Sequence, residues 1–188
     1  MHRRSKVARV FAAFVIIGGL AACGNSAATN SSTPTNTEAS TFDALAEPEE
    51  VPAIARKKLG EAPWVKSINL FHSGFVMVVR DPRNPDNLDR YTYDGGRWTS
   101  TPVSVSLDDI AKFDQTTFQF SQVNWKAVPG LIVKALSGLN LEGETISSVS
   151  YDRLQGQQPR VYIGVSGLRG SGRLIANADG TNVDVKRS

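Results

Sequence analysis

The sequence predicts an α+β fold: two units, each a helix followed by an antiparallel meander, forming one sandwich-like domain. Three observations carry this expectation. Val51-Pro52 and Val128-Pro129 each place proline in the first turn of an amphipathic segment, 77 residues apart. Each segment leads into short, apolar-rich stretches punctuated by Gly, Asn and Asp. The Asp-Gly turn signals Asp94-Gly95 and Asp179-Gly180 recur 85 residues apart.

Residues 1–22 stand apart from that pattern. Arg3, Arg4, Lys6 and Arg9 make a basic start, Val10 to Leu20 is apolar but short for a bilayer span, and Leu20-Ala21-Ala22 leads into Cys23, the only cysteine. The segment resembles a bacterial lipoprotein signal. That resemblance implies a diacylglycerol on the Cys23 thiol, removal of residues 1–22, and an anchor on the extracytoplasmic face of the cell membrane. The residues after Arg3-Arg4 fit twin-arginine export poorly, so Sec export is expected. Residues 23–40 are rich in Ser, Thr, Asn and Ala and have little to bury, which predicts a disordered tether. Such a chain spans about 20–25 Å root-mean-square. Its signal and composition are similar to those of actinobacterial envelope lipoproteins.

The domain is expected over residues 41–188, with repeats at 51–105 and 125–188. In the first, Val51 to Gly60 is a helix with Ile54, Ala55 and Leu59 on one side. Strands follow at 65–71, 75–80, 90–93 and 97–105, separated by His72-Ser73-Gly74, the loop 81–89 and Asp94-Gly95-Gly96. Ser106 to Asp109 is a capping sequence for a short helix through Phe113. In the second, Val128 to Leu136 is a helix ended by Gly138, with Leu131, Ile132, Ala135, Leu136 and Leu139 on its apolar face. Strands are expected at 145–151, 160–166, 173–177 and 181–185. A charge at Ile132 is expected to unfold the domain.

The segments Val161-Tyr-Ile-Gly-Val165 and Arg173-Leu-Ile-Ala-Asn-Ala-Asp-Gly180, after an amphipathic helix, resemble the PepSY-like fold. More loosely, the tandem helix-and-sheet pattern resembles β-lactamase-inhibitor proteins. Residues 125–188 carry the better copy and 51–105 a degenerate one, which departs in its 81–89 loop and its Trp98 to Pro102 ending. The resemblance implies a binding or inhibitory module without catalytic residues.

Removal of the signal takes four of the 21 basic residues and none of the 18 acidic ones, so the high pI of the whole chain says nothing of nucleic acid. No nucleic-acid partner is expected. Residues 23–50 hold Glu38, Asp43, Glu47, Glu49 and Glu50 and no Lys or Arg, which leaves the remainder mildly basic.

Catalytic machinery is hard to assemble from what remains. His72 is the one histidine after His2 is removed, and it lies in a turn. Gly164-Val-Ser166-Gly167 misses the nucleophile-elbow spacing. One histidine and a lipidated cysteine supply no zinc site. The glycines 167–172 precede a strand and not the helix a phosphate loop needs. The oxygen-rich loop 81–89 lacks the ligand order of an EF-hand, and Asp108, Asp109, Glu142 and Glu144 fit capping and turn roles. No enzyme activity, metal or cofactor is expected.

The most suggestive segment is Phe75 to Val79, apolar at every position, so both its faces seek cover. Phe75, Met77 and Val79, with Tyr91, Tyr93 and Trp98, are the candidate residues for a ligand or partner. Two functions stay open: a membrane-anchored binding lipoprotein engaging an envelope protein or ligand, or a carrier of lipid or lipoglycan with an apolar cavity between sheet and helices.

Overall fold

Pro52 and Gly60 bracket the first helix, α1 (Val51–Leu59), of the computed structural model, which describes residues 42–188. The expected signal and tether, Cys23 included, lie outside the described residues. After α1 come four strands: β1 (Trp64–Phe71), β2 (Gly74–Arg80), β3 (Leu88–Asp94) and β4 (Arg97–Val103). A connecting segment holds the one-turn helices α2 (Leu107–Ile110) and α3 (Phe113–Thr116) and the short strand β5 (Phe118–Gln119). The second helix of any length, α4 (Val128–Leu139), precedes β6 (Thr145–Asp152), β7 (Arg160–Gly167), β8 (Gly170–Asn177) and β9 (Asp184–Arg187). The fold is α+β.

All the strands belong to one antiparallel sheet ordered β4-β3-β2-β1-β6-β7-β8-β9, with β5 pairing the start of β1. The two meanders meet edge to edge where β1 pairs β6, Ile68 opposite Tyr151. They do not face each other as two sheets. Strand β2 is therefore covered by in-plane neighbours on both sides, and its alternation separates its faces. Phe75, Met77 and Val79 are buried on the helix side, while Val76 and Val78 are half-buried on the open side.

The core lies between the sheet and the helices. On the second meander α4 packs across β6 to β9 and buries Val128, Leu131, Ala135 and Leu139. Residues spaced three and four apart form that stripe. Ile132 and Leu136 flank it and are only partly buried, so the expectation that a charge at Ile132 unfolds the domain belongs one residue earlier, at Leu131. Gly138 sits inside α4, where it was expected to lie past the end. A Cβ there would come 3.2 Å from Cγ1 of Val185, so the glycine lets β9 approach the helix. Asn140, in the left-handed region at φ 44°, ends the helix instead.

Other boundaries move for local reasons. The expected helix over 106–113 is two separate turns. Ser106 and Asp109 form a reciprocal capping box for α2, but that turn ends at Ile110 and α3 starts separately at Phe113. The last strand starts at Asp184 and not at Thr181. The Asp179 carboxylate accepts bonds from the Thr181 amide and hydroxyl at 2.9 and 2.7 Å, and Asn182 adopts φ 54°, which delays pairing with β8.

The antiparallel order sorts the connections. The tight turns β1–β2, β3–β4 and β7–β8 lie at one end of the sheet. The α1–β1 link and the longer loops β2–β3, β6–β7 and β8–β9 lie at the other. The first described residue, Phe42, is at the tight-turn end, with its ring 6.4 Å from Phe75 and 5.8 Å from Tyr93. Asp43 Oδ2 lies 2.8 Å from His72 Nδ1 in the neighbouring turn. Burial alone would raise the Asp43 carboxyl. The His72 contact and the Leu45 and Ala46 amides outweigh that and hold it below its ordinary value.

Asp152, on the open face at the end of β6, shows the opposite balance. Desolvation raises its pKa, and Tyr162, Lys66 and Arg160 offset this only in part. Its Oδ1 is buried without a partner among the described residues. A carboxylate that binds its proton more tightly when folded weakens the native state wherever it is ionised. Asp152→Asn is therefore expected to raise the melting temperature at pH 7. The gain should fade as pH falls through the raised folded value toward 3.8, which thermal melts at a series of pH values will show.

Candidate functional site

Helix α1 covers its meander less completely than α4 covers the other. It has nine residues against twelve, carries Arg56, Lys57 and Lys58 in its last turn, and fully buries only Val51 and Ala55. What it leaves open is a cleft of about 700 Å³ at the long-loop end. Lys58 and Leu59 of α1 form one wall with Ala62, Pro63 and Trp64. The facing wall is Val79, Arg80, Asp81, Pro82, Arg83 and Pro85, with Tyr91 from β3 and Asp114 from α3.

Local sequence explains each wall. Pro63 precedes β1 and cannot continue a helix, so Trp64 starts the strand at the rim, where it keeps 42% exposure. Asp81 stabilises the β2–β3 loop: its Oδ1 accepts the Arg83 amide at 2.9 Å, and the Asn87 carbonyl accepts the Asp81 amide at 3.1 Å. Arg80 closes the strand. Its Nε donates to the Pro85 carbonyl at 3.0 Å, its Nη1 donates to Asp114 Oδ1 at 2.8 Å, and its Cζ lies 5.4 Å from the centre of the Phe113 ring. Arg153 ties the same segment down from the second meander, donating to the carbonyls of Asp114 and Thr117.

Tyr91 contributes a neutral phenol. Desolvation and then the charges of Asp89 and Asp81 push its pKa up, with Arg83 opposing. It stays protonated at neutral pH and presents one hydrogen-bond donor. The cleft thus combines an apolar and aromatic floor with three cations and two carboxylates, which suits binding an amphipathic group.

The residues expected from sequence fall into two sets. Phe75 and Met77 are wholly buried, and Phe75 belongs to a ladder in which Phe75, Tyr93 and Trp98 sit opposite one another on β2, β3 and β4. Their ring centres are 5.1–5.5 Å apart. Tyr93 also borders a smaller, acidic recess of about 480 Å³ with Glu47, Glu49 and Glu50. Val79 and Tyr91 alone of the six reach the cleft. Trp64, Arg80, Arg83 and Asp114 were missed. The available signal was an arginine ending an apolar strand, and a tryptophan directly after proline at a strand start. His72 is exposed in its turn, far along β2 from the cleft. Among the described residues no group of three or more His, Cys, Asp or Glu is placed to hold a metal, and no helix is long and apolar enough to cross a membrane.

Compared with known proteins, the chain matches no family model, no curated protein and no solved structure.

Proposed function

We propose that this protein is a membrane-anchored, extracytoplasmic binding lipoprotein, non-catalytic, that engages an envelope protein or ligand through the cleft between α1 and the β2–β3 loop. Cys23 carries the lipid, residues 23–40 form the tether, and the α+β domain presents the site. The domain is a tandem of two PepSY-like units, each a short 3₁₀ turn, a proline-started helix and a four-stranded meander. The single observation that carries the binding role is the open cleft, walled by an exposed tryptophan and a positioned arginine. It lies at the end of the sheet opposite Phe42, where the tether joins the domain. Anchoring raises the local concentration, so modest affinity suffices. A surface site is supported over an enclosed lipid cavity by the burial of Phe75 and Met77, whose side chains belong to the packed core.

Two experiments test this. Cys23→Ser is expected to move the protein from the membrane to the soluble or released fraction, read by fractionation and immunoblot; full retention contradicts the anchor. A photo-crosslinking residue at Trp64 of the lipidated protein, in intact cells, is expected to give discrete adducts, while one at Thr99, exposed on β4, gives none. Equal yields at both positions contradict the cleft as the binding surface.

A further inference from the structure

We propose that the cleft takes an anionic amphiphile, a carboxylate or phosphate on an apolar ring or chain, with Arg80 receiving the anion and Asp114 serving as the counterion it displaces. This rests on the assignment of the cleft as the binding surface. Burial within one ion pair of the cleft is unequal. The Arg80 side chain keeps 18% exposure and the Asp114 side chain 90%. Arg80 is fixed by Phe113 on one side and by the Pro85 carbonyl at its Nε, so its guanidinium is pre-oriented. A cation withdrawn from water keeps a strong demand for a negative partner. A carboxylate standing in solvent answers it weakly, because water and salt screen the pair.

A ligand that brings its own apolar body changes that balance. Laid on Trp64, Leu59 and Tyr91, the body excludes water from the guanidinium and lowers the local dielectric, which strengthens a charge-assisted bond to the incoming anion. Lys58 lines the same cleft and adds positive charge. The remaining carboxylate, Asp81, is already engaged by Arg83, through its amide at 2.9 Å and its Nε at 3.7 Å. The polar lining thus favours an acid over a base or a neutral group.

The test uses the lipidated full chain in phosphatidylcholine nanodiscs and three probes of one shape: 2-naphthoate, 2-naphthyl phosphate and the neutral 2-naphthamide, titrated by calorimetry. At least one acid is expected to bind about tenfold more tightly than the amide, a difference of about 1.4 kcal/mol. The tighter of the two acids identifies the headgroup. Asp114→Asn is expected to tighten acid binding several-fold relative to the amide, a gain that damage to the fold cannot mimic. Arg80→Gln should reduce the acids to the level of the amide. Equal binding of all three probes, lost in Trp64→Ala, overturns the anion preference while sparing the cleft as a site. Weaker acid binding in Asp114→Asn, or no binding by any probe, also overturns the proposal; if crosslinks at position 64 fail as well, the binding assignment falls with it.

Discussion

Leu131→Asp is expected to abolish cooperative folding, while Ile132→Asp, one residue along the same helix, leaves a folded protein of lower melting temperature. The two substitutions exchange isomeric side chains for the same carboxylate, so burial is the main difference between them. Leu131 keeps 4% exposure against the sheet, whereas Ile132 lies at the margin of the α4 stripe. Losing the buried leucine forfeits about 1.5–3 kcal/mol. Setting a carboxylate in its place without a partner adds several kcal/mol more. Together these approach the roughly 5–15 kcal/mol that holds an ordinary domain together. At Ile132 the carboxylate can turn to water and avoids most of that cost. Thermal melts followed by circular dichroism decide it: equal melting temperatures for the two variants contradict the placement of α4.

Gly74→Ala is expected to be the most damaging single-methyl change in the first meander, costing about 3 kcal/mol or more. Gly74 starts β2 directly after the His72-Ser73 turn at φ 156°, opposite Asp94. A Cβ there would stand 1.9 Å from the Tyr93 carbonyl oxygen. That obstacle is backbone, so no rotamer change relieves it, and making room requires β2 and β3 to separate. Separation would also disturb the Phe75–Tyr93–Trp98 ladder and the seat of Phe42. Denaturant titration will show a lowered midpoint. A variant within a few tenths of a kcal/mol of the parent would mean that this hairpin is not built as described.

Those contrasts show what the sequence made legible. Helix α4 was legible because Leu131, Ala135 and Leu139 repeat at helical spacing, and the strands because apolar residues alternate between turn residues. Gly138 misled, since glycine at a helix end and glycine under a close-packed strand look alike until Val185 is placed beside it. Phe75 to Val79 misled differently. A continuous apolar run announces cover on both faces, but one face, Val76 and Val78, is only half covered, and the other is core. The cleft had no local signature at all. Its walls come from residues 58–64, 79–85, 91 and 114, and only the β2–β3 pairing and the turn at α3 bring them together. Arg80 looked like an ordinary strand-ending arginine because its meaning lies in Phe113 and Asp114, more than thirty residues away in sequence.

Whether the domain binds through its cleft is decided by an experiment that uses the uniqueness of Cys23. If Cys23 carries the proposed lipid, a cysteine placed at Trp64 or at Thr99 is the sole target for a membrane-impermeant maleimide. Labelling rates are compared between intact cells and the purified protein. Trp64→Cys is expected to be labelled several-fold more slowly in cells than when purified, and Thr99→Cys alike in both. The same ratio at the two positions, or protection confined to Thr99→Cys, would contradict binding through the cleft.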